Sequence, residues 1–179
     1  MSAQAQAALL TFNLGWSGES FSNTAVATAV LVVDDTLLPN PGSTGDNGQA
    51  VLLAELGIVS FDMVVTGATI GDGAYSIDTF AAVTWNSGAL GLDLSTELVG
   101  QATDGNPWGT SDGFSGDFNV FSLDGFSPSG TFFYQLTTAG GFGDNMLLTN
   151  FTPVPIGPAL PLLVSAVGAL GLLRRPRRQ

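Results

Sequence analysis

The chain of 179 residues has no cysteine, no histidine and no lysine, and its four arginines all fall within the last six positions. Each absence removes a class of chemistry. Without cysteine there is neither a disulfide framework nor a thiolate metal site. Without histidine, cysteine or lysine there is no Ser-His triad, thiol nucleophile, Schiff base or imidazole ligand, and residues 1–152 have no arginine with which to clamp a phosphate. Fifteen carboxylates against four arginines leave a net charge of -11. No side chain in the body can pair with these carboxylates, so they are expected mostly at the surface or in turns, since a buried unpaired charge is costly. A surface of one sign repels nucleic acid, phosphorylated ligands and anionic polysaccharide unless a divalent cation bridges them, and nucleic acid is excluded as a partner.

What the body does contain is apolar mass and turn residues. Twelve phenylalanines with many valines and leucines supply a core, and about 150 residues suffice for one domain without staples. Apolar runs at 8–14, 24–33, 58–66, 75–85, 89–94, 118–123, 131–138 and 145–151 read as about eight strands. The clearest alternation sets Tyr75, Ile77, Thr79, Ala81 and Val83 against Ser76, Asp78 and Thr84. Turn signals separate the runs, among them Asp46-Asn47-Gly48, Asn86-Ser87-Gly88 and Ser127-Pro128-Ser129-Gly130. Residues 50–56 fit a strand or a helical turn equally, and residues 39–48 read as a long exposed loop. The fold expected is all-β, an antiparallel β-sandwich or jelly-roll-like ectodomain over residues 1–152.

The last twenty-seven residues are a different polymer. Pro153, Val154, Pro155, Ile156, Gly157 and Pro158 form a Pro-rich motif; residues 159–173 are uncharged; Arg174, Arg175, Arg177 and Arg178 follow. Extended back to Ile156, the apolar stretch is about eighteen residues, near the lower limit for a helix crossing ~30 Å of hydrocarbon. Pro161 falls in the first turn, where its missing N-H costs little. Ser165, Gly168 and Gly171 recur every three residues and offer a face for close helix packing. A core helix would show a polar face and this one has none, so a single C-terminal transmembrane helix is expected. The arginines hold its end in the cytoplasm and place the body outside.

The order of Pro motif, short apolar helix and Arg cluster resembles the PEP-CTERM class of bacterial sorting signals, in its VPLPA subtype. Aligned on Leu160-Pro161-Leu162-Leu163, Val154 and Pro155 match that subtype, Ile156 replaces Leu, and Gly157 and Pro158 depart from it. The resemblance covers residues 153–179. It implies a Gram-negative envelope protein, anchored in the inner membrane and cleaved near the Pro motif by an exosortase-type enzyme, in systems often associated with exopolysaccharide. An exported chain also needs an entry signal. Residues 1–8 contain no basic residue and no apolar core of sufficient length, but Ala3-Gln4-Ala5-Gln6-Ala7-Ala8 has the small-residue composition of a signal-peptidase site, so the signal is expected upstream of Met1.

Three further chemistries compete for the body. Hard oxygen ligands suit calcium, and Asp104, Asn106, Asp112 and Asp117 lie in one Gly-rich stretch, although Trp108 and Ser115 break the loop pattern that calcium sites favour. Ordinary turn chemistry accounts for the same Asp-Gly pairs. Trp16, Trp85, Trp108, Tyr75 and Tyr134 are either core or stacking platforms for carbohydrate, and a two-sheet core usually consumes its aromatics. A carboxylate pair for glycoside hydrolysis would draw on Glu19, Glu55, Glu97, Asp62 and Asp78, which no motif places together. The function expected is non-enzymatic and structural or binding, with no obligatory cofactor.

Overall fold

Apolar residues at every second position, interrupted by glycine turns, produce strands and little else. The computed structural model describes residues 8–38, 50–87, 90–103, 105–110, 117–132 and 135–155. Among them ten strands form: β1 (Leu9–Ser17), β2 (Val26–Asp34), β3 (Val51–Leu52), β4 (Ile58–Thr66), β5 (Gly73–Tyr75), β6 (Phe80–Trp85), β7 (Phe118–Ser122), β8 (Ser129–Phe132), β9 (Gln135–Thr137) and β10 (Asn145–Pro153). A curled seven-stranded sheet has the order β5-β4-β2-β1-β10-β9-β8, and a three-stranded sheet has the order β3-β6-β7. All pairings are antiparallel. No helix among the described residues is long and apolar enough to cross a membrane. The span expected at 159–173 lies outside those residues.

Several expected strands change on folding. Residues 75–85 do not form one strand: the Thr79 N–H and hydroxyl both donate to the Ser76 carbonyl, closing a 3-10 turn that moves the chain from one sheet to the other. The alternation read there therefore spans two sheets. Residues 131–138 split into the β8–β9 hairpin, and residues 50–56 give the two-residue β3 followed by a turn. Of the run 89–94, the described residues 90–94 form no strand; Leu92 and Leu94 enter the core from a loop.

The two sheets share one core. Inward positions on the large sheet include Phe12, Leu31, Phe61 and Phe151, and the small sheet contributes Val83, Trp85, Phe118 and Val120. Phe151 is the hub. Its ring lies 5.2 Å from Phe12, 5.1 Å from Trp85, 5.6 Å from Trp108 and 4.9 Å from Phe118, all near edge-to-face. It reaches the core because Thr149 bulges where β1 pairs with β10, where Gly15 faces Asn150 and Trp16 faces Leu148, so Leu148 and Phe151 both point inward. Gly15 leaves room beneath this bulge for the Asn150 side chain, which a Cβ there, 2.2 Å from Asn150 Oδ1, would force to move.

Several carboxylates sit in turns, as expected of a body without cations, and there they accept main-chain N–H groups. Asp34 accepts the Thr36 N–H and hydroxyl, and those bonds hold its pKa below the usual aspartate value. Asp124 accepts the N–H groups of Ser127 and Phe126 and is lowered in the same way. Asp72 accepts those of Gly67 and Ala68. Asp117 departs from the surface placement expected for carboxylates: it is wholly buried and accepts the Gly109 N–H at 2.8 Å.

Truncating the hub should cost far more than trimming an outward residue. Phe151→Ala is expected to lose about 3–5 kcal/mol in urea denaturation, whereas Val59→Ala on the outer face should stay within about 0.5 kcal/mol. Equal losses would mean that the aromatic cluster does not bind the sheets together.

Candidate functional site

The junction between folded body and tail is built on β10. This strand has β1 along one side from Leu147 to Pro153, but β9 covers only residues 145–147 on the other. A loop takes over from there. The Glu97 carboxylate accepts the Phe151 N–H at 2.6 Å, the Thr152 hydroxyl and the Val99 N–H at 3.0 Å, while the Leu98 N–H donates to the Phe151 carbonyl at 3.1 Å. Residues 97–98 thus act as a short surrogate strand. Pro153 ends β10 opposite Phe12, a position where its missing N–H does no damage. The Val154 N–H still donates to the Thr11 carbonyl at 2.7 Å, and Val154 and Pro155 are exposed. Of the expected motif, Pro153, Val154 and Pro155 therefore sit on a clamped strand end. Ile156, Gly157, Pro158, Arg174, Arg175, Arg177 and Arg178 lie outside the described residues.

The calcium candidates divide. Asp104 and Asp112 lie outside the described residues. Asn106 is half-buried and its carbonyl accepts the Thr103 hydroxyl at 2.6 Å, whereas Asp117 is buried beside Gly109. Among the described residues no three carboxylates gather closely enough to hold a metal.

The tryptophans are not available to stack on a sugar. Trp16, Trp85 and Trp108 are all core, because the two sheets close over them, and the Trp108 indole N–H donates to the Asn86 carbonyl at 2.7 Å. Tyr134 lies outside the described residues. The carboxylates considered as a pair stand on separate elements: Glu19 follows β1, Glu55 caps the turn after β3, Glu97 clamps β10, Asp62 is on β4 and Asp78 is in the turn before β6.

One concavity escapes a linear reading. A trough of about 700 Å³ crosses the outer face of the large sheet, with Asn13, Thr28, Asp62 and Asn150 as polar groups over a floor that includes Val30 and Val64. Antiparallel register assembles it: Asn13 faces Val30, which faces Asp62, while Gly15 faces both Thr28 and Asn150. The usable signal was the outward set of alternating positions on β1, β2 and β4, which means something only once the strands are paired. Tyr75 borders the trough; burial pushes its phenol pKa up, Asp124 and Asp72 add to the shift, and its O–H donates to the Gly71 carbonyl.

Comparison with models of known families, with curated proteins and with solved structures finds no match to this chain.

Glu97 gives the junction its own test. Glu97→Ala leaves the Phe151 N–H without its acceptor and is expected to cost about 1–3 kcal/mol, with faster amide exchange at Phe151 than elsewhere in β10. Uniform exchange along the strand would show that Glu97 does not clamp it.

Proposed function

We propose that this chain is an exported bacterial envelope or extracellular-matrix protein whose sandwich or jelly-roll-like ectodomain plays a structural or binding part without catalysis. Its tail spans the inner membrane at 159–173, with Arg174, Arg175, Arg177 and Arg178 in the cytoplasm. An exosortase-type enzyme then cleaves near Pro155 and releases the body to the cell surface. The observation that carries this proposal is the way the fold ends: β10 is locked by β1, Glu97 and the Phe151 hub, and the chain emerges at Val154 and Pro155 exposed. A processing enzyme would meet the motif without unfolding the domain. The lack of histidine, cysteine and lysine favours a non-catalytic role.

In a host that carries an exosortase-type enzyme, the body should be recovered outside the cell with its tail removed, as read by mass spectrometry. Pro155→Ala should accumulate as full-length protein in the inner-membrane fraction, and replacing the four arginines with glutamine should abolish retention there. An intact tail on a soluble cytoplasmic product would overturn the proposal.

The trough favours a second reading, a calcium-assisted exopolysaccharide-binding module. Hydroxyl, amide and carboxylate groups over a floor of small apolar side chains suit a polyhydroxylated ligand. Binding on a glycan array, with and without calcium, should prefer neutral glycans and fall on Asn13→Ala. Silence on all glycans in both conditions would remove this reading.

A further inference from the structure

Four large apolar side chains stand clear of the surface at one pole of the fold: Phe142 is 84% exposed, Phe126 72%, Leu123 66% and Ile70 53%. They come from three turns, residues 67–72, 123–127 and 138–144, that lean on one another. A Cβ on Gly71 would lie 3.1 Å from Thr138 Cβ, and one on Gly140 would lie 1.6 Å from the Gly125 carbonyl oxygen. Gly140 also has φ +62, so glycine is required there on two counts. The Thr69 N–H donates to the Asp144 carboxylate and joins the first turn to the third.

Two properties of these turns point to the same occupant. The backbone N–H groups of residues 67–69, 126–127 and 141–144 all have internal acceptors, namely Asp72, Asp144, Asp124 and the 138–139 segment. Those N–H groups can leave water without being stranded, which favours entry of the turns into a low-dielectric interface. The apolar side chains project from turns, where a deformable medium accommodates them without a preformed recess. Charge then selects among lipids. Asp72, Asp124 and Asp144 border the apolar tip and no lysine or arginine precedes residue 174, so an anionic headgroup is repelled, while the ammonium of a zwitterionic phospholipid is complementary.

We propose that this pole is a lipid-docking surface, which places Phe126 and Phe142 in the interface of a bilayer of ammonium-bearing zwitterionic phospholipid. β10 starts at this pole and ends at the tail junction, nine residues and roughly 30 Å away. The tip therefore faces away from the bilayer that the tail would occupy, and its docking does not depend on the tail being an anchor.

The lack of cysteine allows a single label in the full chain. An environment-sensitive fluorophore on Phe142→Cys is expected to shift to the blue with vesicles of phosphatidylcholine and phosphatidylethanolamine, and to be quenched by acyl-chain quenchers. The same label on Val30→Cys, in the middle of the outer sheet face, should not respond, so binding through the tail alone is distinguished. Adding Phe126→Ser should reduce the shift at 142 without lowering the melting temperature. Three outcomes would overturn the proposal: no shift at 142, an equal shift with pure phosphatidylglycerol vesicles, or a shift that grows with protein concentration in the absence of lipid, which would assign the tip to a second copy.

Discussion

Carboxylates without cations govern how this domain is put together. An ordinary acidic domain spreads lysine and arginine among its aspartates, and here none precedes residue 174. The acceptors turn to the backbone instead. Asp34, Asp72, Asp93 and Asp124 each close a turn by accepting one or more main-chain N–H groups, Asp144 ties one turn to another in the same way, and Glu97 secures a strand. Such charge-assisted bonds are stronger than neutral ones. The turns become well-tied structures whose positions are set by side chains, with two consequences: polar loops are satisfied internally, and apolar residues can be held out on their tips.

The same logic connects the core to the point where the chain leaves the fold. Phe151 touches Phe12, Trp85, Trp108 and Phe118, and so joins both sheets through the strand that leads into the Pro motif. Glu97 secures the backbone of that residue from the side that β9 leaves open. Packing and hydrogen bonding thus converge two residues before Pro153. A chain that must present a short motif just outside a domain gains from having the last strand be the least able to fray.

Legibility varied with how local the controlling interaction was. Residues 58–66 were read correctly because the alternation is clean and Gly57 and Gly67, at φ 78 and 71, bracket it. Residues 75–85 were misread because a two-residue period continues through a turn that only the Ser76 carbonyl reveals. The 131–138 hairpin was hidden for a similar reason, with no glycine or asparagine inside it to mark the reversal. The tryptophans were correctly weighed toward core. Of the site, the motif from Pro153 to Pro155 was visible as composition, whereas the trough and the apolar tip were not, since each draws on residues more than fifty positions apart.

Composition and periodicity alone determined the all-β class, the acidic single-sign surface, the exclusion of imidazole and thiol chemistry, and the separate character of the tail, because these depend on residue type and near neighbours. Tertiary structure alone decided that Asp117 is buried, that Glu97 clamps β10, and that Asn13 and Asp62 share one trough. It also decided that Phe126 and Phe142 share one pole. Those outcomes follow from strand register and from which turns meet, and register is a property of pairs of strands that no single stretch of sequence contains.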